Sequence, residues 1–420
     1  MSCSCNFQNT LHYSSPANGD RGVVRTGMMV PESVQLFVCP FACGRHGAIG
    51  AVKQKFKDRL AYLYVDQADI VNGYDDAIIP AVEDFLTVLP KRPKVVLIFV
   101  SCLDDLIGTD HEALNERLSK HFPDIKFRSC HMNPITTGGK TPPPISIQNN
   151  MYSLLEDQGE LDMGVNTLGN FVPIFPENEI HAFLKHYGYG ELRHIVDYKK
   201  FDEYQNMAKS QFNMVLRPAG KQSAENMMEK MGKPFIYLPV SYRMEDNKNY
   251  YEKLVHFMGK ENEPAFDMTP YEEKTQAAID RARKAVGDMP IIVDASAVVM
   301  PFSLARGLLE YGFNVIRVQA QECIKVDKEH MEWIENHHPE VEFMQPKHHK
   351  AVLLDKRVSE SIAIGVDGAY LAGSDYVVDH FADEGMFGYQ GIECLMNKLE
   401  HVLEKKANLK EMIHEYGLVV

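Results

Sequence analysis

Short apolar runs alternate with helix-like stretches along most of the chain, and this alternation restricts the fold more than any other feature. The run Lys94–Val100 is continuously apolar and rich in Val, Ile and Phe, which is typical of a parallel strand buried on both faces. A helix that Thr109 can cap follows to about His121, and another strand follows at Ile125–Cys130. Repeated units of this kind predict an α/β protein with parallel sheets flanked by helices.

Length and two polar linkers divide this pattern into three Rossmann-like domains. A chain of 420 residues is too long for one ordinary hydrophobic core. The linkers lie near 158–164 and 260–289. We therefore predict an extended arm at 1–34, a first α/β domain at 35–160, a second α/β domain at 161–287, and a third α/β domain with a C-terminal helix at 288–420. Within the last domain, the pattern predicts a strand at Gly368–Leu371 and a loop at Val378–Tyr389.

Charge and hydropathy exclude several kinds of partner. The net charge is −14 and the pI is near 5.7, which argues against nucleic acid or an anionic membrane as the main partner. No apolar stretch reaches about 18 residues, and Met1–Asn6 lacks the features of a secretory signal. We expect a cytoplasmic protein with no membrane partner, in which the 8 cysteines are thiols, metal ligands or catalysts rather than disulfides.

Three cysteines lie where predicted strands end. Cys39 and Cys43 follow the strand Gln35–Val38, and Cys102 follows the apolar run described above; a helix-like stretch comes after each group. Open α/β sheets bind ligands at the carboxyl ends of strands, and helix N-termini stabilise thiolates. Thiolates favour zinc or iron–sulfur, and the spacing matches no zinc finger. Cys43 and Cys102 are thus predicted cluster ligands and Cys39 a third; the alternative is that all three are buried apolar side chains.

The residues around Cys43 fit the same prediction. Gly44 and Gly47 would let a bulky ligand approach the backbone. Arg45 and His46 would either donate hydrogen bonds to a cluster or solvate the start of a helix, and the sequence does not choose between these roles.

Three other motifs are weighed against plainer interpretations. Gly138–Thr141 resembles the end of a P-loop, but position 134 is proline and the triple proline 142–144 should prevent the helix that a phosphate site needs, so we reject nucleotide binding there. The paired histidines at 337–338 and 348–349 lack ligand spacing, which favours a solvated surface over a metal patch. Asp104 and Asp105, beside Cys102, are predicted to cap a helix or to carry protons.

Several segments spread over most of the chain carry a resemblance to a known family. They are Pro40–Gly44, Asp66–Asp75, Val100–Asp110, Gln211–Val215 with Met231–Pro234, and Phe387–Gly391. In their order and spacing these segments resemble the nitrogenase component 1 family. That family includes the nitrogenase molybdenum–iron protein subunits, cofactor scaffolds, and the protochlorophyllide and Ni-sirohydrochlorin reductases.

The resemblance implies a redox subunit. Cys43 and Cys102 match the family's second and third cluster cysteines, which implies an iron–sulfur cluster of the 4Fe–4S or P-cluster-like type. It also implies a homologous component 1 subunit, in a homodimer or heterotetramer, and an ATP-dependent iron protein that supplies electrons. The substrate would lie in a cleft lined by Arg217 and the Gly385–Gly391 loop, where an additional metallocofactor or a tetrapyrrole is a further candidate.

The chain also departs from the family pattern. The family's first cluster cysteine is absent from Pro16–Gly22. Its candidate replacements are Cys39, Cys3 and Cys5. Arg217 stands where the catalytic nitrogenase subunit has a cofactor-ligating cysteine, and the C-terminal glycine loop has no histidine, so we do not expect this chain to reduce dinitrogen. Two rivals stay open: a non-catalytic scaffold or partner subunit for metallocofactor assembly, and a cluster-free α/β binding protein.

Overall fold

The described strands form three sheets, and all their pairings are parallel. The structure is a computed structural model that describes residues 11, 13–17, 22–132, 142–353, 358 and 360–416. Helices connect the strands, as parallel pairing requires. The predicted α/β class, with parallel sheets flanked by helices, is confirmed. Among the described helices, none is both long enough and apolar enough to cross a bilayer.

The first sheet has the strand order β2-β1-β3-β4. Its elements are α1 (Gly22–Met28), β1 (Ser33–Cys39), α2 (Phe41–Lys53), β2 (Leu60–Tyr64), α3 (Gln67–Asn72), α4 (Asp75–Val88), β3 (Val95–Val100), α5 (Asp104–Ile107), α6 (His111–His121) and β4 (Lys126–His131). The central strands β1 and β3 are buried along their whole length. On β3, Val95, Leu97 and Phe99 enter one apolar cluster, whereas Val96, Ile98 and Val100 enter another. Both faces are therefore covered, which explains the continuously apolar sequence.

The second sheet has the order β6-β5-β7-β8. The elements of this part of the chain are α7 (Pro143–Tyr152), β5 (Val165–Leu168), α8 (Glu179–His186), β6 (Leu192–Arg193), α9 (Phe201–Tyr204), β7 (Phe212–Val215), α10 (Lys221–Met231) and β8 (Phe235–Tyr237).

The third sheet has the order β11-β10-β9-β12-β13. The elements of the last part are α11 (Met244–Phe257), α12 (Thr269–Val286), β9 (Ile291–Asp294), α13 (Pro301–Glu310), β10 (Val315–Gln319), α14 (Lys328–His337), β11 (Glu342–Met344), β12 (Ile362–Ile364), α15 (Val366–Ala372), β13 (Tyr376–Val378), α16 (Gly388–His401) and α17 (Leu409–Tyr416).

Contacts group the chain into two compact units. One contains residues 20–173 and 190–237, and therefore the first and second sheets. The other contains 1–19, 174–189 and 238–420, and therefore the third sheet. The domain boundaries predicted from the sequence remain predictions.

Residues 22–28 differ from the predicted extended arm. They form helix α1, and Val24 and Met28 are buried in an apolar cluster together with Phe37 of β1. The polar, turn-rich residues before this helix dominate the composition of the segment and conceal its short apolar face.

The start of helix α7 also differs from the sequence prediction. The triple proline was expected to prevent a helix, yet α7 begins at Pro143. Proline suits the first turn, because the N–H groups there have no partner within the helix and the fixed φ angle is already helical. The P-loop-like residues 138–141 lie outside the described residues.

Two elements near the C-terminus also differ from the predictions. The predicted strand Gly368–Leu371 belongs to helix α15, and the predicted loop Val378–Tyr389 ends where α16 begins, at Gly388. Short, fully buried apolar runs do not distinguish a strand from a helix, because neither has a polar face to show a period.

A buried group of polar side chains links the segment between β13 and α16 to the segment before α11. The Tyr242 hydroxyl lies 2.9 Å from Asp383 Oδ1 and 2.7 Å from His380 Nε2. The hydroxyl carries a single proton, so when it donates to the Asp383 carboxylate, His380 Nε2–H donates to the tyrosine oxygen. Burial lowers the pKa of His380 to about 3.

This buried histidine should make the fold sensitive to acid. Below its unfolded-state pKa of about 6.5, the unfolded chain takes up a proton that the native state does not, so stability present above that pH is lost as the pH falls toward the folded pKa. At pH 5 the loss attributable to His380 is about 2 kcal/mol. We expect His380→Gln to reduce the pH 7 to pH 5 difference in unfolding free energy by that amount, measured by urea denaturation. The exposed His337→Gln serves as the control, and an equal pH dependence in both variants would contradict the prediction.

Candidate functional site

The segments that carry Cys39 and Cys102 lie at the carboxyl ends of adjacent strands in the first sheet. Cys39 is the last residue of β1, and Cys102 lies two residues after β3 ends. The two strands are adjacent and parallel, with Val38 opposite Val100. The predicted placement of these cysteines at strand ends is confirmed.

Cys43 is exposed and lies in the first turn of α2. Its backbone N–H donates to the Pro40 carbonyl at 2.9 Å, which closes that turn. The N-terminal end of a helix of this length carries partial positive charge, which stabilises a thiolate or an anionic cluster. Arg45 is also exposed on the same helix, and the side chain of His46 lies outside the described residues.

Cys39 differs sharply from Cys43. It is 1% exposed and belongs to the apolar cluster beneath α2. Burial, with a smaller effect from the charge of Cys43, raises the pKa of the Cys39 thiol to about 12. At pH 7 its ionisation would cost about 7 kcal/mol, which a metal would have to offset.

Gly44 and Gly47 do not leave room for a ligand as expected. A Cβ atom on Gly44 would lie 2.6 Å from the Tyr62 ring, and one on Gly47 would lie 2.8 Å from the Tyr62 hydroxyl oxygen and 3.0 Å from the Phe37 ring. The two glycines therefore allow α2 to pack directly on aromatic rings of β1 and β2.

Cys102 is half-buried and lies in the turn between β3 and α5. In that turn the Asp104 N–H donates to the Ser101 carbonyl at 3.1 Å. The Asp104 side chain does not cap α5, whose N-cap is Leu103; it is held instead by hydrogen bonds to Tyr74 and His111.

The remaining cysteines give no second thiol site within the described residues. Cys130 is fully buried, and burial raises the pKa of its thiol to about 12. Cys323 and Cys394 are half-buried, and Cys3 and Cys5 lie outside the described residues. In the part of the chain that the structure describes, neither the cysteines nor the paired histidines form a group of three ligands around a single-ion position. A mononuclear thiolate site is therefore not built by these residues.

Arg217 follows β7 and stacks on an aromatic ring. Its guanidinium lies 5.3 Å from the centre of the Phe171 ring, and that of Arg25 lies 5.0 Å from the same ring. Phe171 and Arg25 also line a cleft of about 630 Å³ together with Tyr198 and Lys199. Sequence patterns missed Arg25, which lies in the predicted arm, and Phe171, which follows a short strand. No local sequence signal pairs an arginine with an aromatic residue so far away along the chain.

The predicted lining of the substrate cleft falls into two compact units. Arg217 belongs to the unit with the first two sheets, whereas Gly385–Gly391 belongs to the unit with the third. In the latter, Gly388 packs on the buried carboxylate of Glu179, which accepts hydrogen bonds from the N–H groups of Tyr389 and Gln390. The Gly388–Gly391 part of that segment is thus the start of a helix that a buried acid caps.

Known proteins share this fold. The chain has a TM-score of 0.71 to the solved structure titled "Nitrogenase Cp1 at pH 6.5", with 15% identity and 95% coverage of both chains. For "Nitrogenase Cp1 at pH 5" the TM-score is 0.58, with 14% identity, 93% coverage of this chain and 90% of the other.

The sequence comparisons identify the family. The nitrogenase iron-molybdenum cofactor biosynthesis protein NifE of Clostridium pasteurianum is 24% identical over 274 residues, which span 64% of this chain and 59% of that protein. The family model described as nitrogenase component 1 type oxidoreductase matches residues 21–404. The chain therefore belongs to the nitrogenase component 1 type oxidoreductase family.

Proposed function

We propose that this chain is an iron–sulfur subunit that accepts electrons from an ATP-dependent iron protein and passes them to a small anionic substrate. The observation that carries the proposal is the pair of cysteines at one edge of the first sheet, the exposed Cys43 on α2 and the half-buried Cys102 after the adjacent strand. A cluster bound there would supply one-electron chemistry. The chain would contribute two thiolates and the positive end of α2.

Two thiols do not complete the four-cysteine set that such clusters need. The remaining ligands would come from Cys39, from Cys3 or Cys5, or from a homologous partner subunit. The exposure of Cys43 favours the partner, because an exposed ligand can be shared across an interface. Cys39 is the weaker candidate, since its thiol is buried and hard to ionise.

The cleft beside Phe171 supports an anionic substrate or cofactor. Its volume of about 630 Å³ is in the range of small-molecule sites. A guanidinium that stacks on an aromatic ring keeps its N–H donors in its own plane, from which they can bind a carboxylate. Arg25 lines this cleft and would bind the anion, whereas Arg217 contacts the same ring without lining the cleft.

A scaffold role is the second candidate. It is favoured by one observation, the similarity to a protein whose name assigns it to iron-molybdenum cofactor biosynthesis. In that role the same cleft would hold a metallocofactor precursor for transfer, and no substrate would be turned over.

Anaerobic purification with a matched iron protein separates these functions. The electron relay predicts bound iron and sulfide, and a visible spectrum that bleaches when reduced iron protein and MgATP are added but not when MgATP is omitted. Iron that stays spectrally unchanged with MgATP, and that moves to an acceptor protein on mixing, would overturn the relay in favour of the scaffold. A colourless chain without iron would overturn both.

A further inference from the structure

Two histidines and an aspartate converge beside the third cysteine segment. The residues are Asp104, His111 and His131, and one ligand atom from each lies within 4.8 Å of the other two. No expectation drawn from the sequence joined them, because His131 ends a separate strand and reaches the other two only through the pairing of β3 with β4.

The fold places all three at the carboxyl edge of the first sheet. Strands β3 and β4 are adjacent, with Val100 opposite His131, the last residue of β4. Asp104 begins α5 just after β3, and His111 begins α6, whose N-cap is Asp110. Two strand ends and a helix start thus deliver the three side chains to one point.

The donor atoms are nearly in place for a metal ion. His111 Nε2 is hydrogen-bonded to Asp104 Oδ2, and His131 Nδ1 lies 4.0 Å from the same oxygen. The two imidazole rings meet edge to face with centroids 4.7 Å apart. Around a tetrahedral ion with bonds of about 2.1 Å, ligand atoms lie about 3.4 Å from one another, so the group would close on an ion with small side-chain movements.

A second hydrogen bond orients the Asp104 carboxylate, as is usual for a carboxylate that binds a metal. Asp104 is 2% exposed, and its other oxygen accepts a hydrogen bond from the Tyr74 hydroxyl. Hydrogen bonds of this kind orient ligating carboxylates in metal sites. The side chain of His131 is 39% exposed, which gives an ion a path from solvent.

An ordinary ion pair does not explain the arrangement. On the same helix α6, His121 pairs with Glu83 at 2.6 Å. Both side chains are about half exposed, and no third ligand joins them among the described residues. At Asp104, by contrast, a second imidazole approaches a buried carboxylate that is already hydrogen-bonded to Tyr74 and His111. A cation between the three groups would account for the second histidine.

We propose that Asp104, His111 and His131 bind a first-row divalent metal ion, at a site separate from the cysteines. Two imidazoles and one carboxylate suit zinc or ferrous iron and leave coordination positions for water. The ion would tie α5 and α6 to the end of β4 and so hold the turn that carries Cys102.

Equilibrium dialysis of the full-length chain against Zn²⁺, and anaerobically against Fe²⁺, tests the site. Because thiols also bind zinc, the measurement is made in the wild type and in a Cys43→Ala/Cys102→Ala background. We expect one ion per chain in the Cys43→Ala/Cys102→Ala background, and at least that one in the wild type. In the same background we expect at least a tenfold loss of affinity in His131→Ala and a 10–100-fold loss in Tyr74→Phe. His121→Ala is the matched control and should bind as its parent does.

His131 is chosen because its partial exposure makes misfolding of the variant improbable, and circular dichroism checks this. Absence of stoichiometric binding of either ion, or equal binding by His131→Ala and His121→Ala, would overturn the site. Neither outcome depends on the iron and sulfide content of the wild type. Failure of the proposed metal site can therefore be distinguished from failure of the proposed function.

Discussion

Replacing Cys43 or Cys102 with alanine should lower the iron and sulfide bound by the anaerobically purified chain by about tenfold or more, because each change removes a thiolate ligand. Cys43 is exposed in the first turn of α2, so its loss creates no core cavity. Metal analysis and the visible spectrum measure the effect. Folding is checked by circular dichroism, since the change at Cys43 should leave the secondary structure intact.

Cys394→Ala is the matched control. Cys394 is half-buried on α16, in the unit that lacks the first sheet, and should keep the iron content of the wild type. Equal iron in the Cys43, Cys102 and Cys394 variants would contradict the ligand assignment and favour a cluster-free protein. Cys39→Ala tests the third predicted ligand. If this variant retains the iron of the wild type, Cys39 is a core residue and not a ligand.

The class of fold could be predicted because its strongest signals are local. A strand buried on both faces, such as β3, must be apolar at every position. The start of α6 was predictable from its polar cap, although the cap is Asp110 and not the predicted Thr109. Helix α15 differs from the prediction because its local sequence carries no such signal. Its residues are almost all buried, so its short apolar sequence has no polar face that would reveal a helical period.

The sites were less predictable because packing between distant segments creates them. The strand-end cysteines follow from the order of elements, but nothing local shows that Tyr62 fills the space beside Gly44. The shared ring of Phe171 and the meeting of His111 with His131 likewise depend on which strands and helices become neighbours. A single sequence records the residue types but not these pairings.

Gly388→Ala is expected to destabilise the unit that contains the third sheet by about 3–5 kcal/mol. Gly388 begins α16 with φ +60°, a region unfavourable for alanine. Its added Cβ would lie 2.0 Å from Glu179 Oε1 and 2.7 Å from the Tyr251 hydroxyl oxygen. Glu179 is 1% exposed, so its carboxylate cannot swing into solvent. The clash would displace the acid that receives the first N–H groups of α16.

Gly391→Ala provides the comparison within the same helix. Its Cβ would meet nothing closer than 3.5 Å, and helix propensity favours alanine there by about 1 kcal/mol. We therefore expect urea denaturation to show a large loss for Gly388→Ala and no loss, or a small gain, for Gly391→Ala. Equal stabilities would mean that Glu179 does not hold the start of α16. In that case the glycine at 388 would need another explanation, such as an approach of substrate or partner to the backbone at that point.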